Sequence, residues 1–194
     1  MSGFVATMPV NVTFRRNPMS DAEKTMNDSG QIPVPLAPLN GLSPLLSPDI
    51  HTIILGSFPS RESLAARQYY AHPRNQFWKL LSAVLDDDLV SLPYEKRLDR
   101  LLGHGIGLWD VISLCDRVGS LDSRIRNAVA NDFTLLKEIC PRLEKVCFNG
   151  KVAGAYAKRL EAAGYRTVLL PSSSPAYASR SFEDKLVLWK RALD

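Results

Sequence analysis

The chain has 194 residues, 45% of them hydrophobic, and a net charge of +4, which is enough for one domain with a real core. No apolar run reaches the roughly twenty residues that cross a bilayer, and the N-terminus lacks the basic-then-apolar order of a secretory signal. Three scattered cysteines, Cys115, Cys140 and Cys147, fit neither a disulfide framework nor a four-thiolate metal or iron–sulfur site. A reduced cytoplasmic protein with no metal, no cofactor and no membrane contact is expected.

Taken in chain order, residues 1–32 show no periodicity and are rich in Asn, Ser, Met and Gly. The stretch "PVPLAPLNGLSPLLSP", Pro33 to Pro48, spaces its prolines too closely for a helix or a central strand. Residues 1–48 are therefore expected to form a disordered or extended arm, with the folded domain spanning 49–194. Signals then alternate. "HTIILG" predicts a buried strand, and "NQFWKLLSAVL" a helix whose buried face carries Phe77, Leu80, Leu81, Val84 and Leu85. "PYEKRLDRLLG" predicts a second helix stopped by Gly103, and "IGLWDVI" a second strand. A helix is expected from a capping Asn131 to Pro141, and "EKVCFNG" predicts a third strand. The helix after it should place Val152, Tyr156 and Leu160 on its core face. "RTVLLP" is a fourth strand, and the last helix opens on a capping box of Ser181 and Asp184. Alternating strands and helices predict a three-layer α/β/α fold around a central, mostly parallel, four-stranded sheet. Ligands of such sheets sit beyond the carboxyl ends of the strands. There the segments "GSFPS" and "PSSSPAY" should meet.

Several tempting motifs fail. The glycines of "GHGIGLWD" precede a strand, whereas a dinucleotide fingerprint follows one. "FNGKVA" lacks the upstream glycine and trailing Ser/Thr of a P-loop, although Lys151 at a helix start is able to meet a phosphate. The three serines Ser172, Ser173 and Ser174 lack the flanking glycines of an esterase elbow. His51, His72 and His104 have no metal spacing; His51 and His104 read as structural, and His72, between Ala71 and Pro73, is the one with functional promise.

Three segments remain unexplained by turn chemistry: "GSFPS" after the first strand, "YYAHPRNQFW" before a helix, and "LPSSSPAY" after the last strand. In this order they resemble the uracil-DNA glycosylase superfamily, and most closely its DNA-deoxyinosine (hypoxanthine-DNA) glycosylase branch. The resemblance covers roughly Asp49 to Asp194. It implies a monofunctional hydrolase acting, as a monomer, on DNA that contains deaminated bases, chiefly hypoxanthine, in base-excision repair. A mismatch-specific uracil or thymine glycosylase and a non-catalytic DNA-binding relative are the alternatives. Mismatch-specific relatives carry an Asn in the first motif where Phe58 stands here, and a phenyl ring cannot orient a water. A further polar residue, Asn or His, usually opens the last motif, where Ser172 stands. In the hypoxanthine branch the resemblance assigns the polar role to Asn75.

The chemistry fits these residue types. The target base must be flipped out of the duplex, and Tyr70 is the expected stacking platform with Tyr69 packed behind it. Cleavage passes through a cation resembling an oxocarbenium ion. Main-chain N–H groups of Ser57 and Phe58, beside Gly56, are expected to face the departing base. Asn75 would orient a water or hold the base edge, with His72 and Ser172 nearby. No lysine lies in the three motifs, so no Schiff-base lyase step is expected. Ser172, Ser173 and Ser174 would grip phosphates, Pro175, Ala176 and Tyr177 would fill the gap left by the base, and Lys151 and Arg180 would meet further phosphates. The charge agrees with an anionic partner: residues before Pro48 are balanced, leaving 21 basic against 17 acidic residues in the rest.

Overall fold

The computed structural model describes residues 37–193; the expected disorder of residues 1–32 lies outside them. The described part begins with β1, Leu39–Asn40, then β2, Thr52–Gly56, and a short helix α1, Arg61–Ala66, capped by the Ser60 hydroxyl on the Ser63 N–H. Helices α2, Phe77–Leu85, and α3, Tyr94–Gly103, follow. Next come β3, Ile106–Asp110, β4, Ile112–Asp116, and β5, Arg126–Ala130. The remainder runs α4, Leu136–Ile139, β6, Lys145–Asn149, α5, Lys151–Gly154, α6, Ala157–Ala162, β7, Arg166–Leu170, and α7, Phe182–Leu193.

The central sheet has the order β3-β2-β6-β7, and every neighbouring pair is parallel. This is the expected four-stranded sheet. Strand β2 is buried on both faces, and its side chains alternate. Ile53 and Leu55 enter one core with Val146 and Phe148 of β6. Ile54 enters the other with Cys147, Phe77, Leu81 and Trp189. Helices α2, α3 and α7 cover that second face, while α4, α5 and α6 contribute to the first, so the three layers form as the periodicity implied.

Three features go beyond the sequence reading. The first is that part of the proline-rich segment before Asp49 docks on the sheet. Strand β1 pairs antiparallel with β4, and Leu45 exchanges main-chain hydrogen bonds with Leu108 at 2.8 and 3.0 Å. The prolines prevent a regular strand but leave enough free N–H groups to dock the segment on the sheet. Second, β1, β4 and β5 form an additional antiparallel sheet, with irregular register between β4 and β5. Third, Asn131 does not cap the following helix. Its amide donates to the Asp110 carbonyl at 2.8 Å, and Asp132 accepts from Thr134 instead, so α4 starts later. The helix expected from Val152 to Leu160 is two short helices, with Leu160 buried and Val152 turned outward.

Two glycines of "GHGIG", Gly105 and Gly107, have a packing role. Gly105 has φ +68, and a Cβ there would lie 2.5 Å from the His51 ring. His104 pairs with Asp87 at 2.9 Å beside Arg100, and that network holds the Asp87 carboxyl down to about 2.

Candidate active site

A cleft of about 630 Å³ opens over the carboxyl edge of the parallel sheet. The last residues of all four strands, Gly56, Asp110, Asn149 and Leu170, line it. The strand order turns back between β2 and β6, the usual position for a ligand crevice. The GSFPS turn is held open there because Val111 and Ile112 donate to the Gly56 and Ser57 carbonyls at 2.8 and 3.1 Å.

One wall is the tyrosine segment. Tyr70 has φ +55, a left-handed conformation that is costly for a bulky residue and persists only where neighbours impose it. Those neighbours are identifiable. Trp78 Nε1 donates to the Tyr69 carbonyl at 3.1 Å, the Tyr69 N–H donates to Tyr94 at 2.8 Å, and the Ala71 N–H donates to buried Ser63 at 3.1 Å. The Tyr70 ring stacks on Phe77 with centroids 3.6 Å apart. Tyr69 is buried behind it, its hydroxyl donating to the Ser43 carbonyl at 3.0 Å. Asn75 lines the cleft, and its Oδ1 accepts the Phe77 N–H at 3.0 Å. Since that atom must be the oxygen, the amide's free face consists of N–H donors.

The opposite rim is the segment after β7. Ser173 is fully buried. Its N–H donates to Asn149 Oδ1 at 2.9 Å, its hydroxyl accepts from Asn149 Nδ2 at 2.8 Å, and its carbonyl accepts the Gln76 N–H at 3.0 Å. Ser173 is therefore a lock between β6, the last loop and the start of α2 rather than a phosphate contact. Ser172 and Ser174 accept from main-chain N–H groups within the loop at 3.2 Å, which leaves each hydroxyl hydrogen free to donate. Lys185, buried in α7, donates to Gln76 at 2.8 Å and to the Tyr177 carbonyl at 3.0 Å, and Trp189 Nε1 donates to the Pro171 carbonyl at 3.0 Å.

Beneath the GSFPS turn sits the contribution of the antiparallel sheet. Ser57 donates to Asp122 Oδ2 at 2.8 Å. Arg117 is buried, donates through Nη2 to the Pro59 carbonyl, and lies 4.9 Å over the Phe58 ring. Burial pushes Asp122 up, while the Ser57 hydrogen bond and Arg117 pull it back. Asp110 is 4% exposed and its Oδ2 has no partner among the described residues. Burial, and then the Asp122 charge, raise it to about 7.

Of the residues singled out from sequence, Gly56, Ser57, Phe58, Tyr70, Asn75, Lys151, Ser172, Ser173, Ser174, Ala176, Tyr177 and Arg180 all line this one cleft. His72 and Pro175 do not. His72 Nδ1 accepts the Arg74 N–H at 3.1 Å and shapes the turn through Pro73; Pro175 is exposed beside the loop. Asp110, Asn149, Arg117, Asp122, Gln76 and Lys185 are additional. The first two carried a readable signal, a polar residue ending an apolar strand at the ligand edge. Among the described residues no cluster of His, Cys, Asp and Glu is placed to hold a metal, and no helix is long and apolar enough to cross a membrane.

A family model described as the uracil DNA glycosylase superfamily matches residues 43–193. A hypoxanthine DNA glycosylase of Methanosarcina acetivorans is 45% identical over 136 residues, covering 70% of this chain and 86% of that protein. A hypoxanthine DNA glycosylase of Methanosarcina barkeri is 41% identical over 152 residues, covering 78% and 96%. The solution NMR structure of a candidate uracil DNA glycosylase from Methanosarcina acetivorans aligns with a TM-score of 0.73 at 40% identity, covering 81% of this chain and 97% of that one.

Proposed function

Because the chain belongs to the uracil DNA glycosylase superfamily, we propose that it is a monofunctional DNA glycosylase that releases hypoxanthine from deoxyinosine in DNA, the first step of base-excision repair. The observation that carries this reading is the meeting of Tyr70, Asn75 and the GSFPS turn in one cleft, in a chain whose curated relatives are hypoxanthine DNA glycosylases. The flipped base stacks on the Tyr70 ring, whose other face is braced by Phe77; such stacking contributes roughly 1–3 kcal/mol per base. The C1′–N9 bond breaks with its electron pair passing to the purine. Main-chain N–H groups of Ser57 and Phe58 face the growing negative charge. A water adds to C1′ and its proton ends on the departing base. Asn75, whose free amide face donates, holds the water oxygen or an acceptor on the base, while Ser57 is fixed by Asp122. Phe58 fills the place where a polar residue orients water in mismatch-specific relatives, so the polar work falls to Asn75.

Ser172, Ser174, Lys151 and Arg180 form the phosphate-facing rim in this reading, and Ala176 with Tyr177 occupies the space vacated by the base. Ser173 and His72 act by shaping their segments. Lys185, the buried lysine near the cleft, donates two hydrogen bonds to fixed acceptors, in keeping with hydrolysis without a Schiff base. The protein is read as a cytoplasmic monomer, and its buried free thiols Cys115, Cys140 and Cys147 suit a reducing compartment.

The test uses an end-labelled duplex with one deoxyinosine, followed by alkaline cleavage of abasic sites. The wild-type protein should release hypoxanthine and Asn75→Ala should lose that release by roughly a hundredfold or more. Borohydride should trap no protein–DNA adduct. Equal release by wild type and Asn75→Ala would remove Asn75 from the chemistry, and a trapped adduct would overturn the lyase-free mechanism.

A further inference from the structure

Lys185 is the buried charge of α7, with 2% of its surface exposed. Among the described residues no carboxylate lies within ion-pair distance of it, and burial lowers its pKa. A buried ammonium without a counter-ion opposes folding. A methionine would fill the same space without that cost, so core packing alone does not explain a lysine here.

Its contacts do. Nζ donates to Gln76 Oε1 at 2.8 Å and to the Tyr177 carbonyl at 3.0 Å, and it lies 5.3 Å from the centre of the Tyr177 ring. One cation thus holds Tyr177 by its main chain and by its ring face, and ties it to the residue beside Asn75. Gln76 is fixed a second time, since its N–H donates to the Ser173 carbonyl at 3.0 Å. On the other side, the Ser181 hydroxyl accepts the Asp184 N–H at 3.0 Å and the Ser181 carbonyl accepts the Lys185 N–H at 3.2 Å. The chain from Tyr177 to Lys185 therefore closes back on itself. Tyr177 and Asn75 both line the cleft.

Resting on the glycosylase reading, we propose that Lys185 is a positioning residue that couples two events, the filling of the vacated stack by Ala176 and Tyr177 and the placement of the flipped base against Asn75. Extrusion of a paired base gives up its stacking and pairing. The base stays out while a protein group occupies its place, and Asn75 works on it only while it is out. With the loop after β7 and the start of α2 joined through one ammonium, those two groups keep a fixed separation. Without Lys185 the loop still meets the duplex, but its side chains no longer hold register with Asn75. The loss falls on substrates that resist flipping, because a base with no pairing partner needs little help to leave the stack.

The experiment measures single-turnover release by wild type, Lys185→Met and Gln76→Leu from two duplexes. In one, deoxyinosine is paired with cytosine; in the other it faces a stable abasic-site analogue. Folding of each variant is checked by circular dichroism, and duplex binding by anisotropy. Lys185→Met should lose roughly 10- to 100-fold on the paired substrate and stay within a few-fold of wild type on the unpaired one, with both duplexes bound about as tightly as before. A 2-aminopurine beside the paired deoxyinosine should brighten when wild type binds and stay dim with Lys185→Met. Gln76→Leu removes only the acceptor on α2, and it should shift the preference toward the unpaired substrate in the same direction. Equal losses on the two duplexes would make Lys185 a support of the whole site and overturn the proposal, as would unchanged release from both. Should Lys185→Met fail to fold, Gln76→Leu decides alone, and an unchanged ratio between the two substrates would overturn the coupling. A wild-type protein that releases hypoxanthine from neither duplex would instead defeat the reading on which the proposal rests.

Discussion

Two parts of the cleft lining are built differently. The tyrosine segment and the loop after β7 are fastened to the core by buried tryptophans and a buried lysine: Trp78 to the Tyr69 carbonyl, Trp189 to Pro171, and Lys185 to Gln76 and Tyr177. The β4–β5 side brings Arg117 and Asp122 from the connection between two strands of irregular register, the outer of which, Arg126–Ala130, is exposed along most of its length. Core packing sets the geometry of the first part. A few polar contacts to the GSFPS turn position the second. Tyr70 is thus held at a backbone conformation that it would not choose alone, while Asp122 and Arg117, the partners of Ser57 and Phe58, come from the connection between β4 and β5.

This contrast has measurable consequences. Trp189 is fully buried and anchors Pro171, so Trp189→Ala should cost roughly 3–5 kcal/mol in denaturant unfolding. Val129→Ala on the exposed strand should stay within about 0.5 kcal/mol. Comparable losses at the two sites would erase the distinction between the two parts.

Asp110 lies on the floor between them and gives a pH-dependent effect. Its folded value, about 7, lies above the ordinary value of 3.8. The native state therefore binds the proton more tightly. The stability that this supplies is fully present below pH 4 or so and is lost as pH rises through about 7. Asp110→Asn removes the titration. Relative to wild type, the variant should gain roughly 2–4 kcal/mol between pH 5 and pH 9, read as a difference between two unfolding curves. A pH-independent difference would show that the carboxyl is not held neutral by its burial.

The smallest effect concerns the rim. Arg180→Ala should weaken binding to any duplex about equally and lower the slope of log K against log salt by about 1. Arg126→Ala, on the exposed strand, sharpens the comparison by marking whether that part also follows the DNA backbone. An unchanged slope for Arg180→Ala would take it off the phosphate path.

The legibility of the sequence follows the same division. The four parallel strands announced themselves as short apolar runs, and α2 and α7 by their 3.6-residue period, because both are buried against the sheet. Tyr70, Asn75 and the serines stood out since turns alone do not require them. The antiparallel sheet did not stand out. β1 is two residues long within a proline-rich stretch, and β5 has no buried face to impose alternation. Arg117 and Asp122 were hidden with it, since only the fold brings them under residues about sixty positions earlier, as the Ser57–Asp122 hydrogen bond does. Ser173 illustrates the opposite failure. Three adjacent serines look alike in sequence, yet Ser173 is fully buried and tied to Asn149 while Ser172 and Ser174 bond only within their own loop.

The most direct test of the central claim is single-turnover base release by the wild-type protein from four otherwise identical duplexes carrying hypoxanthine, uracil, a G·T mismatch or unmodified adenine. Hypoxanthine should be released faster than any other base, with adenine untouched. Faster release of uracil or of mismatched thymine, or binding to all four duplexes without release from any, would contradict it.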